Sequence, residues 1–325
     1  MCTAISFLTN DHYFGRNLDL EYHYTESVTV TPRNFPFIFR RQKPIKTHFA
    51  MIGMATVADG YPLYYEATNE KGLSLAGLNF PGNAVYHAPT GTGIDLAPYE
   101  LIPWVLGQCG TAEDALALLQ NINIVNIPFS EEFGLSDLHW LLSDKNESIT
   151  IEPFADGLHI IKNPIGVLTN NPPFEYHMYH LTEFLNLTAD APENRFSSGC
   201  ELQPYSRGMG AIGLPGDLSS GSRFVRAAFT KLNSVCQPDE DASVSQFFHI
   251  LDSVAQQQGC VKVGDSLEKT VYSSCCNTDK GIYYYTTYEN RQISAVDLHG
   301  QDLQQEELFI FPLITKQQIY KHNQV

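Results

Sequence analysis

The stretch MCTAISF, residues 1–7, places a cysteine directly after the first methionine. Methionine aminopeptidases accept a small second residue, and removal of Met1 would leave Cys2 with both a thiol and a free α-amine. An unperturbed α-amine has a pKa of about 7.7–8.0, close to neutral, and is here tethered to its nucleophile. Such a residue meets the demands of acyl transfer. The alternative is that Cys2 has no function, and on this residue alone that alternative is stronger.

The composition is that of a globular protein and excludes some partners. Hydrophobic residues make up 43% and charged residues 17% of the 325 residues, and the formal net charge is -16. Nucleic acid is not expected as a partner, because its binding needs a basic surface. No apolar run is as long as a membrane span and no secretory signal is visible, so we expect a cytoplasmic protein that does not bind membranes.

The cysteines and histidines do not form the patterns of a metal or disulfide site. The seven cysteines are odd in number, irregularly spaced and without a CxxC pair. His177 and His180 could share one helix face, but no third ligand is apparent, so a surface or packing pair is the better interpretation. We therefore expect no metal, no cofactor and a reducing compartment.

Strand patterns occupy both ends and the middle of the chain, with helices between them. Short β-branched and aromatic stretches separated by polar turns predict strands, including a hairpin that turns at residues 69–72. Helix signals follow Thr111, Pro172-Pro173, Ser222 and the capping box Ser243-x-x-Gln246. Runs of strands and runs of helices favour a single α+β domain over residues 1–325 with mostly antiparallel sheets.

Two charged residues lie close to Cys2 in the chain. The stretch FGRNLDLE, residues 14–21, contains Arg16 and Asp19. A spacing of three puts them on opposite faces of a regular strand, so a bulge or bend would be needed to make them converge. Each alone is more typical of a surface charge. If this stretch pairs with the CTAISF strand, however, the charge pair lies beside the N-terminus.

Five stretches in the same order carry a family resemblance. They are MCTAISF (1–7), FGRNLDLE (14–21), NEKGLSLAGLNFPG (69–82), IGVLTNNP (165–172) and GLPGDLSSGSRFVRAAF (213–229). Together they resemble the choloylglycine hydrolase family, which includes bile salt hydrolases and penicillin V acylases, and are most similar to the bile salt hydrolases. With the C-terminal strands, the resemblance covers essentially the whole chain.

The resemblance implies an N-terminal nucleophile (Ntn) hydrolase, a four-layer αββα sandwich. In that family pattern Cys2 is the nucleophile and its freed α-amine is the base. Arg16 lies beside the thiol and favours the thiolate. Asp19 accepts a hydrogen bond from the α-amine. No metal or organic cofactor takes part.

The resemblance assigns three further polar residues to the site. Asn79 and Asn170 position the scissile amide and stabilise the oxyanion, and Arg223 completes the polar network. Without the resemblance, asparagines before proline are typical of turns. Asn171 is an alternative to Asn170, which we favour.

The resemblance also implies a substrate, a bile acid conjugated to glycine or taurine, held in a broad apolar pocket. Asn79 favours bile salts, since penicillin V acylases of the family commonly carry tyrosine there. Two phenylalanines in the polar stretch FSEEFGLSD, residues 129–137, suggest a lid. Leu18 could equally be a core residue. The matching pocket positions are Leu18, Tyr24, Ala58, Tyr65, Phe129 and Phe133.

Other functions remain open from the sequence. The enzyme alternative is an acylase for penicillin V or N-acyl-homoserine lactones, and transfer of the acyl group to another amine is a further activity. The non-enzyme alternative is an inert bile-acid-binding relative. The family commonly forms homotetramers, and residues 194–214 match the place of a protruding oligomerisation segment or are a plain long loop.

Overall fold

A computed structural model describes residues 1–91 and 93–323. The strands are β1 (Cys2–Leu8), β2 (His12–Leu20), β3 (Ser27–Thr31), β4 (Met51–Ala58), β5 (Tyr61–Asn69), β6 (Ser74–Asn79), β7 (Ile94–Leu96), β8 (Ile122–Ile124), β9 (Leu138–Ser143), β10 (Ser148–Phe154), β11 (Gly157–Lys162), β12 (Val167–Leu168), β13 (Val261–Val263), β14 (Ser266–Asn277), β15 (Ile282–Thr287), β16 (Ser294–Asp297) and β17 (Phe309–Pro312). The α-helices are α1 (Leu101–Gln108), α2 (Ala112–Leu119), α3 (Phe174–His180), α4 (Ser220–Asn233) and α5 (Glu240–Asp252).

Two antiparallel sheets form the centre of the fold. The first has the order β12-β1-β2-β14-β15-β16, with β13 paired to β14. The second has the order β11-β10-β9-β6-β5-β4-β3-β17. The short pair β7 and β8 is parallel. The prediction of mostly antiparallel sheets is confirmed.

Helices cover the outer face of each sheet and complete four layers. On the first sheet, α4 contacts β1 and β12, and α5 contacts β2 and β14. On the second sheet, α1 contacts β5 and β6, and the buried face of α2 joins the same apolar cluster. Contacts from β1 and β2 to β6 join the two inner faces. The predicted αββα sandwich is therefore confirmed, and Cys2 lies where its two sheets face each other.

The predicted helix starts are partly right. Thr111 caps α2, its hydroxyl accepting from the backbone N–H of Asp114 at 3.1 Å, and α3 follows directly after Pro173. The helix predicted after Ser222 begins at Ser220. The prediction of a capping box at Ser243 is wrong. Asp239 caps α5 by accepting from Ala242, because its carboxylate supplies the cap one turn earlier.

Helix α1 is absent from the sequence prediction for a physical reason. Its eight residues read LIPWVLGQ, and seven of them are buried. A helix that is apolar on all sides has no 3.6-residue pattern to detect. Pro103 also argues against a helix, although it is tolerated in the first turn. Among the residues that the structure describes, no helix is both long enough and apolar enough to cross a membrane.

Candidate active site

Cys2 begins the second strand from the edge of the first sheet. Strand β1 pairs with β2, where Cys2 lies opposite Leu18 and Ala4 lies opposite Arg16. Directly opposed residues share a face of the sheet, so Cys2, Leu18 and Arg16 point to the same side. That side faces the second sheet and lines a cavity. The pairing of FGRNLDLE with CTAISF, which the sequence left as a possibility, is present.

Arg16 is held between the two sheets. Its side chain is 1% exposed, and Nη1 donates to the carbonyl oxygens of Tyr65, at 3.1 Å, and Gly77. Its Nε lies 3.9 Å from a carboxylate oxygen of Glu66. Burial lowers the pKa of Arg16, but its electrostatic interactions with Cys2 and with the neighbouring acidic groups outweigh burial and raise it. Arg16 therefore places a permanent positive charge beside the thiol.

Asp19 lies on the opposite face of β2 from Arg16. It is fully buried, and its Oδ1 accepts from the Thr270 hydroxyl at 2.6 Å. Its Oδ2 lies 4.0 Å from Nη1 of Arg223 and has no hydrogen-bond donor among the described residues. Burial raises the pKa of Asp19, and the charge of Arg223 opposes this shift.

The expected bulge within β2 is not needed. The register shift lies between β2 and β14, at Thr270 and Tyr272, while β2 pairs regularly with β1 from Cys2 to Leu8. Arg16 and Asp19 stay on opposite faces. Arg16 lies on the same face as the Cys2 side chain, whereas Asp19 lies on the other face, where its main chain bonds to Met1 and its carboxylate approaches Arg223.

The N-terminal amine belongs to Met1 in this structure. It donates to the Asp19 carbonyl at 2.6 Å and to Glu268 Oε1 at 3.1 Å. The nitrogen of Cys2 is therefore an amide, and it donates to Asn170 Oδ1 at 2.8 Å. Chemistry that uses the Cys2 amine requires removal of Met1.

Asn170 is the hub of the polar network around Cys2. Besides the Cys2 N–H, its Oδ1 accepts from Arg223 Nη2 at 2.7 Å, and its Nδ2 donates to the Asn79 carbonyl at 2.8 Å. Arg223, in the first turn of α4, also donates from Nη1 to the Cys2 carbonyl and, at 2.7 Å, to the Thr3 hydroxyl. Both side chains are buried. The network fixes the main chain of the residue that carries the thiol.

The neighbouring residues Asn170 and Asn171 have different hydrogen-bond partners. Asn171 donates instead to the Pro81 carbonyl at 2.7 Å and to Asn83 Oδ1. Asn79, at the end of β6, lines the cavity itself. These positions support the choice of Asn170 over Asn171.

The cavity beside Cys2 has a volume of about 390 Å³. Five of the six predicted substrate positions line it, and Ala58 does not. Thr56, two residues earlier on the same face of β4, lines the wall that Ala58 was expected to form. The residues that line the cavity include Cys2, Arg16, Leu18, Tyr24, Tyr65, Asn79, Phe129 and Phe133.

Aromatic side chains form the outer wall of the cavity. The ring of Phe133 lies 5.9 Å from that of Tyr24 and 6.2 Å from that of Phe129. Arg40 fixes this wall from outside, since its Nη2 donates to the Phe129 carbonyl at 2.6 Å. The two phenylalanines of FSEEFGLSD therefore lie at the cavity, where a lid was expected.

Two buried residues of the site escaped the sequence interpretation. His177 donates from Nε2 to the Asn170 carbonyl at 2.9 Å, and burial lowers its pKa to about 4, so its ring is neutral. His180 instead is partly exposed beside Glu183. The second residue is Glu66, an acid within the aromatic strand β5. An acidic residue among aromatic residues was the only feature of the sequence that pointed to Glu66.

No metal site accompanies these residues. Across residues 1–91 and 93–323, no group of three or more His, Cys, Asp or Glu side chains is arranged to hold a metal ion. The chemistry argued below uses the side chains and main chain already described.

Two facing antiparallel sheets between helical layers, with a cysteine at the start of strand β1 in one of them, define the Ntn hydrolase fold. The family model described as linear amide C–N hydrolases, choloylglycine hydrolase family, matches residues 2–311. The chain belongs to this family and is a hydrolase of linear amide C–N bonds.

Individual relatives agree over nearly the full length. The chain is 52% identical over 324 residues to a bile salt hydrolase/transferase of Lactiplantibacillus plantarum, covering 99% of this chain and 100% of the relative. A crystal structure of the C2A mutant of conjugated bile acid hydrolase from Clostridium perfringens superposes with a TM-score of 0.92 at 36% identity, covering 99% and 100%. A penicillin V acylase from Agrobacterium tumefaciens shares the fold, with a TM-score of 0.73 at 18% identity, covering 94% and 90%.

Proposed function

We propose that this chain hydrolyses the amide bond of bile salts conjugated to glycine or taurine, with Cys2 as nucleophile after Met1 is removed. The observation that carries the proposal is the position of Cys2. Its thiol side faces the cavity beside Arg16, while its main-chain nitrogen and carbonyl are held by Asn170 and Arg223. The relatives described above support the substrate class.

The first step is attack of the Cys2 sulfur on the substrate carbonyl. The α-amine takes the thiol proton, and Arg16 favours the thiolate by opposite charge. Because Asn170 Oδ1 accepts an N–H of this nitrogen, the lone pair of the neutral amine is left free to accept the proton. The unpaired Oδ2 of Asp19 is a ready acceptor for another amine hydrogen.

The tetrahedral intermediate needs donors for its oxyanion. Asn79 lines the cavity and supplies its side-chain amide there. The Nδ2 of Asn170 already donates to the Asn79 carbonyl, so we assign Asn170 chiefly to orienting the Cys2 amine through Oδ1. The α-amine then protonates the leaving amine, a thioester forms on sulfur, and water activated by the same amine releases the acid.

The cavity suits a large apolar acyl group. Its volume of about 390 Å³ falls within the range of roughly 300–1,000 Å³ typical of ligand pockets. Leu18, Leu20, Phe129 and Phe133 give it apolar walls. A steroid offers matching apolar surface and few polar groups, which supports a bile acid as the acyl part.

The test of substrate class is a parallel assay on glycocholate, taurocholate and penicillin V. We expect kcat/KM for at least one bile salt to exceed that for penicillin V by about 100-fold, a difference of roughly 2.7 kcal/mol in transition-state binding. A preference for penicillin V or for an N-acyl-homoserine lactone would overturn the proposal. Binding of cholate without turnover by the processed protein would favour the inert relative.

The aromatic wall gives a prediction about substrate binding. Phe129→Ala and Phe133→Ala should each raise KM for glycocholate about five- to tenfold, because each loses roughly 1 kcal/mol of apolar contact from a half-buried ring. The change in kcat should be smaller, since neither ring touches the Cys2 network. Steady-state kinetics measure both. Tyr179→Ala is the control, because the Tyr179 ring is 72% exposed and does not line the cavity.

Domain organisation and assembly complete the proposal. We infer one Ntn-hydrolase domain over residues 1–325, of which residues 92, 324 and 325 lie outside the described part. We also infer a cytoplasmic homotetramer, in which residues 194–214 protrude for assembly. The exposure of Phe196 and Tyr205, 83% and 85%, supports a contact surface there. Light scattering of the purified protein measures the assembly, and a monomer would contradict this inference.

A further inference from the structure

We infer that Glu66 is the positioning residue for Arg16 and thereby sets the reactivity of the Cys2 thiol. The inference deepens the proposed function, on which it rests. Glu66 lies in β5 of the second sheet, whereas Arg16 lies in β2 of the first. Its Oε2 lies 3.9 Å from Arg16 Nε. The ion pair thus crosses between the sheets at the wall of the cavity.

Glu66 is itself held by three hydroxyl donors from the first sheet. Ser274 donates to Oε1 at 2.9 Å, Tyr272 donates to Oε2 at 2.7 Å, and Tyr283 donates to Oε1. We call these three residues and Glu66 the cross-sheet carboxylate cluster. All four side chains are buried. Three hydroxyl donors, together with the charge of Arg16, favour the ionised form of Glu66, because a carboxylate only accepts hydrogen bonds.

The hydroxyl groups stay protonated and keep donating. Burial raises the pKa of Tyr272 and of Tyr283 well above the usual range, and the charge of Glu66 raises both further. Burial also raises the pKa of Glu66, while Arg16 and the hydroxyl donors oppose that shift. Ser274 has a second link to Arg16, since its hydroxyl accepts the Arg16 backbone N–H at 3.1 Å.

Carbonyl groups alone do not balance the charge of Arg16. The contacts to Tyr65 and Gly77 satisfy Nη1 but carry no negative charge. A buried cation without its partner is strongly unfavourable. Arg16 also lines the cavity, so water is within reach of its side chain. Loss of the Glu66 charge should therefore release the guanidinium from the wall into the cavity, away from its place beside Cys2.

Other ionisable groups around Cys2 do not replace this pair. Asp19 and Arg223 lie on the opposite face and, at 4.0 Å, largely balance each other. Glu268 faces the Met1 amine. Arg16 is thus the cation on the thiol's own face. The groups near Arg16 or Cys2 are Asp19 from β2, Tyr65 and Glu66 from β5, Glu268 and Tyr272 from β14, Tyr283 from β15 and Arg223 from α4.

The test is the pH profile of Cys2 alkylation by iodoacetamide in the processed protein, with the modified N-terminal peptide identified by mass. Glu66→Gln should raise the midpoint by about one pH unit, which slows alkylation at pH 7 about tenfold. Arg16→Gln should do the same. The double variant Arg16→Gln/Glu66→Gln should add nothing to Arg16→Gln alone, because Glu66 acts through Arg16.

Several outcomes would overturn the inference. An unchanged profile in folded Glu66→Gln would reduce Glu66 to a structural role, and a shift to lower pH or an additive double variant would make it a direct charge on the thiol. If Glu66→Gln does not fold, Tyr283→Phe decides, because it removes one donor and keeps the ring. We expect it to slow alkylation at pH 7 about two- to threefold, and no change would again refute the inference.

A control variant makes the alkylation test specific to Glu66, and an assay without turnover makes it independent of bile salt hydrolysis. Glu70→Gln is the matched control, since Glu70 pairs with Arg33 near the end of β5 and does not line the cavity, so its alkylation profile should match the wild type. Alkylation requires no turnover. If the protein does not hydrolyse bile salts, the proposed function fails, while the alkylation profile still decides the role of Glu66.

Discussion

Cys2→Ala is expected to lower kcat/KM for conjugated bile salts by about 10⁴-fold or more. The substitution removes the proposed nucleophile, so neither the α-amine nor the oxyanion donors can compensate. The fold should survive. The contacts of residue 2 to Asn170 and Arg223 use its backbone nitrogen and carbonyl, which alanine keeps.

Release of glycine or taurine measures this loss, and thermal unfolding measures the fold. Cys260→Ala is the matched control, because Cys260 is a free, exposed cysteine outside the cavity, and it should retain full activity. Hydrolysis by folded Cys2→Ala at more than a few per cent of the wild-type rate would exclude Cys2 as the nucleophile.

Asn170→Ala is expected to lower kcat by about 10²–10³-fold. It deletes the acceptor that orients the Cys2 nitrogen and also leaves Arg223 Nη2 without this partner. It further removes the hydrogen bond to the carbonyl of Asn79, the proposed oxyanion donor. KM should change less, because Asn170 does not line the apolar cavity.

The neighbouring residue supplies the control for this second prediction. Asn171→Ala removes contacts to Pro81 and Asn83 only and should stay within about threefold of wild-type kcat, as expected for a residue away from the reacting atoms. Steady-state kinetics of both variants decide the assignment. Equal losses of kcat in the two variants would mean that the conformation of the segment around residues 170 and 171, and not the Asn170 amide, is needed for catalysis.

Local sequence patterns predicted the antiparallel sheets and left the pairing of β1 with β2 as a possibility. Each of those strands is rich in β-branched or aromatic residues, and only a short polar turn separates them, so a hairpin was the simplest arrangement. The sequence predicted the helix N-caps less well than the strands. Ser243 and Asp239 are both good caps, and α5 begins after Asp239, whose carboxylate accepts from the Ala242 N–H.

The site depended more on long-range contacts than the fold did. The family resemblance gave Asn170 a role, but only its bond to the Cys2 nitrogen distinguishes it from Asn171. Glu66 pairs with Arg16 across two sheets and 50 positions of chain, which no local pattern encodes. The sequence left His177 as a surface or packing residue, and its burial and its contact with Asn170 are visible only in the structure.

The most direct test of the central claim is mass spectrometry of the N-terminal peptide after an acid quench during bile salt turnover. We expect a peptide that begins at Cys2 and carries the mass of the bile acyl group as a thioester. A fully active enzyme whose peptide still begins at Met1, or an acyl group trapped on any other residue, would contradict it.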